Sequence, residues 1–91
     1  MKIELSHTAL KFLEKLDESN RNRIRDKINI LTNSIEEYGI IPYKTLDIKT
    51  LKGNWYPLKR LRTGKIRVLF YIEYESETIK ISEIDNRGDI Y

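Results

Sequence analysis

The chain has no cysteine and only one histidine among its 91 residues. Disulfides and thiolate metal sites are therefore excluded, and His7 alone cannot form a histidine metal cluster, so we expect no metal and no cofactor. No stretch approaches the roughly twenty apolar residues of a membrane-spanning helix, and the N-terminus lacks the pattern of a secretion signal. We expect one domain over residues 1–91, located in the cytoplasm and not associated with a membrane.

Positive charge is concentrated in one segment. The net charge of the chain is only +3, but residues 51–72 contain six Lys or Arg and no acid, whereas residues 73–91 contain two Lys or Arg and six acids. A concentrated positive field attracts phosphates or an acidic partner. The alternative is an ordinary solvated strand face, and the spacing of the charges has to decide between them.

The first half of the chain predicts a short strand followed by two helices. "MKIEL" alternates apolar and polar residues, as a strand does. Ser6 can cap the first helix, Asp17 or Ser19 the second, and Gly39 is placed to end the second. The apolar residues then recur at helical spacing, at Ala9, Phe12, Leu13 and Leu16 and at Ile24, Ile28, Leu31, Ile35 and Tyr38.

The second half predicts strands over residues 55–62, 65–74 and 78–84, with a further short strand in "TLDIKTL". Trp55 and Phe70 are expected in the core. The fold class is α+β, with an N-terminal helical hairpin packed on one face of a small, mainly antiparallel β-sheet.

The segment around Thr63-Gly64 predicts a β-hairpin whose two faces differ in chemistry. A turn at these two residues pairs position 62 with 65, 60 with 67 and 56 with 71. Directly opposed residues share a face and faces alternate along a strand. One face is then apolar except for Lys59, and the other collects Tyr56, Leu58, Arg60, Arg62, Lys65, Arg67, Leu69 and Tyr71.

This second face favours nucleic-acid binding over a solvated face. In the predicted register Arg60 directly opposes Arg67, and such like-charge pairs are destabilising, so a purely structural sheet would more often pair arginine with glutamate. Guanidinium groups bind phosphates in bidentate fashion, and aromatic rings stack on bases. Salt bridges from Glu83 and Asp85 to the hairpin arginines are the structural interpretation of those two acids.

The order of motifs resembles the RelE-type toxins of prokaryotic toxin–antitoxin pairs. The matching segments are Leu51-Lys52-Gly53, then Leu61-Arg62-Thr63-Gly64, then Arg67-Val68 with Tyr71, and last Arg87 with Asp89-Ile90-Tyr91. No single motif is unique to the family, but their order and spacing together are specific. The strand–helix–helix start also fits, so the resemblance covers the whole chain.

The resemblance implies an endoribonuclease that cuts messenger RNA in the ribosomal A site, using the substrate's own 2′-hydroxyl as nucleophile. It also implies a RelB-like antitoxin as partner, in a complex that can bind operator DNA. Arg67 would hold the transition-state phosphate, Arg60 would stabilise its charge, Arg87 would assist the leaving oxygen and Tyr91 would stack on a base or transfer a proton. RNA contacts are expected from Arg62, Lys65, Lys52, Tyr56 and Tyr71.

The general base is missing from this pattern. Relatives often have a histidine where this chain has Asn86, and arginine stays protonated in proteins. Tyr91, Lys52, Lys65 or the ribosome would have to accept the proton. Two alternatives therefore stay open: a ParE-like inhibitor of DNA gyrase on the same scaffold, and a catalytically silent RNA-binding module.

Overall fold

The computed structural model describes residues 1–86, and the expected roles of Arg87 and Tyr91 lie outside these residues. Within residues 1–86, five strands and two helices follow one another in the order β1 (Lys2–Leu5), α1 (His7–Lys15), α2 (Glu18–Tyr38), β2 (Ile48–Thr50), β3 (Lys59–Thr63), β4 (Ile66–Glu73) and β5 (Thr78–Asp85). The predicted strand–helix–helix start is confirmed.

Each helix is bounded by the residues that the sequence indicates. The Ser6 side chain accepts a hydrogen bond from the Ala9 amide at the start of α1, and the Asp17 side chain accepts one from the Asn20 amide at the start of α2. Gly39 ends α2 in the left-handed conformation, which glycine adopts without steric cost.

The strands form one mixed sheet in the order β1-β5-β4-β3-β2. β1 lies parallel to β5, and the other neighbouring pairs are antiparallel, so the predicted α+β class with a mainly antiparallel sheet is confirmed. In β5 the pairing with β4 shifts by one residue between Leu69 and Phe70, which leaves Ser82 as a β-bulge. Because of this bulge, Ile81 and Ile84 are three residues apart and yet both belong to the core.

The core lies between the helices and one face of the sheet, which we call the inner face. Leu61, Val68 and Phe70 of this face are fully buried and belong to one cluster with residues of both helices. The helical members of that cluster are Ala9, Ile24, Ile28 and Leu31. The predicted apolar faces of both helices are therefore confirmed, apart from Tyr38, which is exposed. The other predicted positions are partly buried against the cluster, namely Phe12, Leu13, Leu16 and Ile35.

The segment before β3 differs from the prediction. Residues Gly53–Trp55 form a 3₁₀ turn, the Tyr56-Pro57 peptide bond is cis, and β3 begins only at Lys59. The prediction of a strand from residue 55 is wrong because Gly53 has a φ of +64° and Pro57 has no amide to donate to a sheet. Trp55 is consequently exposed rather than part of the core.

Within residues 1–86, neither helix has the length and apolar character needed to cross a membrane.

Candidate nucleic-acid interface

The arginines of the β3–β4 hairpin share the face of the sheet that points away from the core, which we call the outer face. Arg62 opposes Arg67, and Arg60 opposes Leu69. Since opposed residues share a face and faces alternate, Arg60, Arg62 and Arg67 lie on the same side. The predicted sorting of the arginines to one face is confirmed.

The predicted pairing of these arginines is wrong, because the turn lies one residue later than expected. Thr63 pairs with Ile66, so the turn residues are Gly64 and Lys65, and Gly64 has a φ of +62°. A two-residue hairpin favours glycine at its first central position when that residue needs a positive φ. Moving the turn by one residue changes each pairing by two, which keeps the faces but makes Arg62, not Arg60, the partner of Arg67.

Arg67 is held by a bidentate ion pair. Its Nε donates to Oδ1 of Asp85 at 2.9 Å and its Nη2 donates to Oδ2 at 2.8 Å. Asp85 lies directly opposite on β5, and Arg67 is only 2% exposed. The salt bridge expected from Asp85 is therefore present. Arg67 lies on the outer face, away from the core, but it is not open to solvent, because β5 places the Asp85 carboxylate beside it.

Arg60 is also buried, at 8% exposure, and its Nη2 donates to Oδ1 of Asp47 at 3.1 Å. Asp47 precedes β2 with a φ of +53°, and its carbonyl accepts the Arg62 amide at 3.2 Å. Within the described part of the chain, the buried Nε of Arg60 has no hydrogen-bond acceptor. A buried donor without an acceptor costs about 1–3 kcal/mol, so an incoming oxygen atom at this nitrogen would be stabilising.

Arg62 is half-buried, and its backbone carbonyl accepts a hydrogen bond of 3.2 Å from Nζ of Lys27. This bond connects α2 to the last residues of β3. The sequence contained no signal for Lys27 or for Asp47, because both contacts join residues that are far apart in the chain. Only the tertiary fold brings them to the hairpin.

The other residues predicted to bind RNA are spread over the hairpin and its neighbouring loop. Tyr71 is half-buried and opposes Lys80 of β5 on the outer face. Lys65 lies exposed in the turn, and Lys52 lies exposed before the 3₁₀ turn. The prediction that Tyr56 opposes Tyr71 within the hairpin is wrong, because Tyr56 precedes β3 and lies in the loop.

His7 and Asn86 both lie at the surface and outside the arginine cluster. His7 is the first residue of α1 and is exposed. Asn86 directly follows β5 and is exposed. The carboxylates beside the arginines, Asp47 and Asp85, are both occupied by ion pairs.

A separate polar cluster lies where β2 meets β3. Lys59 donates from Nζ to Oγ1 of Thr50 at 2.8 Å, and Nζ lies 5.4 Å from the centre of the Tyr43 ring. Hydrogen bonding to Lys59, and secondarily to Thr50, lowers the pKa of Tyr43 below its ordinary value. Lys59 is the one cation of β3 whose place in the alternation corresponds to the inner face. The polar cluster gives its ammonium group hydrogen-bonding and ring contacts, so it is not buried among apolar side chains alone.

Comparisons with known proteins agree with this fold. No family model matches the chain. The chain is 33% identical over 90 residues to a candidate toxin named RelE1 from Methanocaldococcus jannaschii, an alignment that covers 98% of this chain and 92% of the relative.

Two solved structures have the same architecture. The archaeal RelE–RelB complex from Pyrococcus horikoshii matches with a TM-score of 0.73 and 23% identity, covering 97% of this chain and 96% of that one. The isolated RelE toxin from E. coli matches with a TM-score of 0.71 and 14% identity, covering 94% and 83%. These structures support the fold, and the 33% identity to the archaeal relative over nearly the full length decides the family. The chain belongs to the RelE family of toxins.

Proposed function

We propose that this protein is a ribosome-dependent endoribonuclease that cuts messenger RNA in the A site. The observation that carries the proposal is the set of three arginines on the outer face, Arg60, Arg62 and Arg67. Two of them, Arg60 and Arg67, are buried there, and each forms an ion pair with an aspartate. Ion pairs seldom add much net stability, whether they are exposed or buried, so a role in binding phosphate gives these residues a reason to be present.

In the proposed reaction the 2′-oxygen of one nucleotide bonds to the adjacent phosphorus while the bond from phosphorus to the 5′-oxygen breaks. The proton of the 2′-hydroxyl passes to a base, and the 5′-oxygen receives a proton from an acid. Arg67 and Arg60 would stabilise the negative charge that develops on the phosphoryl oxygens, with Arg62 as a further phosphate contact. Arg87 and Tyr91 retain their proposed roles at the leaving group and in stacking or proton transfer.

The proton acceptor in this proposal comes from outside the arginine cluster. Arginine remains protonated, and Asn86 has no basic group near neutral pH. Lys52, Lys65, Tyr91 or a group of the ribosome would take the proton. Because the arginine cluster lacks a proton acceptor, we expect cleavage to depend on the ribosome. The free protein should therefore cut naked RNA poorly.

We also propose a RelB-like antitoxin as the partner. The similar archaeal structure is a RelE–RelB complex. The segment of residues 51–72, which is rich in Lys and Arg, is complementary in charge to an antitoxin with acidic stretches. The antitoxin would cover the outer face and parts of the helices, and the resulting complex would bind operator DNA.

The test is primer extension on a translated transcript, with the wild type compared with Arg60→Gln. We expect cuts at codons in the A site, and a loss of about 100-fold or more in Arg60→Gln, as for removal of one donor to a developing anion. Arg23→Gln is the matched control because Arg23 is exposed on α2 and its loss changes the net charge equally. Similar losses in both variants would contradict a specific role for Arg60.

Two further outcomes would refute the proposal. Intact transcripts together with trapped gyrase–DNA cleavage complexes would favour the ParE-like alternative. Efficient cutting of naked RNA by the purified protein would contradict dependence on the ribosome.

A further inference from the structure

Residues 52–58 form a loop with two exposed aromatic rings between β2 and β3, which we call the aromatic loop. Trp55 is 46% exposed and Tyr56 is 69% exposed. Large aromatic side chains usually contribute to a core or an interface because they bury much apolar area. Two adjacent rings that remain outside the core therefore point to a binding surface.

The aromatic loop is closed and internally bonded. The Leu51 amide donates to the Leu58 carbonyl at 2.9 Å, so the two ends of the loop lie side by side. The Leu58 amide donates to the Trp55 carbonyl at 2.9 Å, and the Tyr56 amide donates to the Gly53 carbonyl at 3.2 Å. A loop with this bonding presents its rings with less loss of conformational entropy on binding than a flexible segment would.

The charge around the aromatic loop favours a polyanion. Lys52 is exposed at the start of the loop, and Lys59 and Arg60 follow directly after it. No acid occurs between residues 48 and 72. The loop and the strands that hold it therefore present no carboxylate to an approaching phosphate, and Asp47, which precedes β2, is held in the ion pair with Arg60.

Tyr74 provides an internal contrast. It is 64% exposed in the turn between β4 and β5, similar to Tyr56, but Glu73, Glu75 and Glu77 surround it in the sequence. An aromatic ring among carboxylates would repel a phosphate chain. Exposure alone thus does not distinguish the two sites, and the surrounding charge does.

We propose that the aromatic loop binds an unpaired RNA base by stacking on Trp55 and Tyr56, while Lys52 contacts the neighbouring phosphate. This inference deepens the proposed function, since it assigns a base-binding element to the same RNA-acting protein. Stacking on aromatic rings is tolerant of base identity. The loop therefore strengthens binding of single-stranded RNA without defining a sequence by itself.

Trp55 allows a direct test because it is the only tryptophan in the chain. We expect oligoadenylate and oligouridylate to quench its fluorescence on titration into the purified protein, since a stacked base contacts the indole. Inorganic polyphosphate carries the charge but no base, and we expect it to leave the emission unchanged. Equal quenching by polyphosphate, or no quenching by either RNA, would overturn the proposal.

Variants extend the test through affinity measured with labelled oligoadenylate. Trp55→Ala is expected to weaken binding about 5- to 150-fold, the range for loss of one base–aromatic stack, and Trp55→Phe should retain part of the affinity. Tyr74→Ala is the matched control, and it should bind like the wild type. Circular dichroism verifies that each variant is folded. An unchanged affinity in folded Trp55→Ala would refute stacking. This conclusion holds even if an added antitoxin protein alters the Trp55 emission of the wild type, because that change would report antitoxin binding and not RNA binding.

The test does not use the ribosome, so the two proposals can fail separately. Quenching by RNA without any A-site cleavage would refute the proposed function and leave the base-binding loop. A-site cleavage with no quenching, and with unchanged affinity in Trp55→Ala, would refute the base-binding loop alone.

Discussion

The two faces of the sheet are both buried along β3 and β4, but by different chemistry. On the inner face, Leu61, Val68 and Phe70 pack against the helices as an apolar cluster. On the outer face, Arg60 and Arg67 are nearly as inaccessible, and each is paired with an aspartate. Burial of apolar surface contributes about 25 cal/mol per Å², whereas a buried ion pair often does no better than an apolar replacement.

This difference indicates that the inner face stabilises the fold and that the outer face serves another purpose. A residue of the inner face should be irreplaceable for stability. A charged pair of the outer face should be replaceable as a unit without loss of stability, yet not without loss of the proposed activity. The following experiments are designed to separate these two behaviours.

The largest effect is expected from Phe70→Ala on the inner face. Phe70 is fully buried, so the variant loses apolar burial and leaves a cavity, and the free energy of unfolding should fall by about 3–5 kcal/mol. Urea denaturation measures this loss. Tyr71→Ala is the matched control because Tyr71 is the next residue, points to the outer face and is only half-buried. Equal losses in the two variants would mean that the two faces do not differ as described.

The second effect concerns the pair of Arg67 and Asp85. Arg67→Met leaves Asp85 without the bidentate guanidinium, and we expect a loss below the ~3–5 kcal/mol of a fully buried pair, because the Asp85 side chain is 25% exposed. In the double variant Arg67→Met with Asp85→Leu, stability should return close to the wild type. A-site cleavage should stay absent. Restored cleavage would show that the guanidinium is dispensable, and a double variant no more stable than Arg67→Met would show that the pair stabilises the fold.

A smaller effect is expected from Ser6→Ala. The Ser6 hydroxyl accepts from the Ala9 amide at 3.1 Å and donates to the carbonyl of the bulged Ser82 at 2.7 Å. Loss of this helix cap should lower the free energy of unfolding by about 1 kcal/mol, as measured by urea denaturation. Thr is also a good cap, so Ser6→Thr should retain most of the stability. A loss in Ser6→Thr as large as that in Ser6→Ala would argue against capping as the cause.

The smallest effect concerns Tyr43, which is bonded to the one cation of β3 with inner-face parity. Because Lys59 and Thr50 lower the pKa of Tyr43, ultraviolet titration should give a phenolate that forms below pH 10 and moves upward in Lys59→Met. The folded state then loses this proton before the unfolded state does, so stability should rise with pH between the folded pKa and the ordinary value near 10. An unchanged titration in Lys59→Met would contradict the assigned cause.

Much of the fold followed from local patterns. Helix bounds depend on caps and on spacing within a few residues, which is why the predictions for Ser6 and Gly39 are correct and Asp17 is one of the two residues predicted to cap α2. The sorting of the hairpin faces survived an error in the turn position because alternation depends only on whether pairings shift by an even number of residues. The predicted turn position is wrong because two turns that contain Gly64 fit the sequence, Thr63-Gly64 and Gly64-Lys65. The choice depends on which turn position needs the positive φ of Gly64, and the sequence does not decide this.

The environment of the site was less predictable. The carboxylate of Asp47, which precedes β2, accepts a hydrogen bond from Arg60, and Lys27 of α2 donates one to the Arg62 carbonyl. These contacts depend on how elements that are distant in the sequence pack together, so no local sequence pattern predicts them. The burial of Arg67 likewise depends on the register of β5, which the bulge at Ser82 shifts. Trp55 was misassigned because aromatic residues are typical both of cores and of exposed binding loops.

Asp47 combines two tasks in one residue. Its left-handed backbone delivers a carbonyl to the Arg62 amide, and its carboxylate holds the guanidinium of Arg60. Asparagine tolerates the same backbone conformation but is uncharged, and glycine tolerates it without any side chain. A substitution of Asp47 by asparagine or glycine can therefore preserve the backbone geometry at this edge of the sheet while it removes the carboxylate that pairs with Arg60. A single codon change can in this way alter the surface charge of the protein without altering its shape.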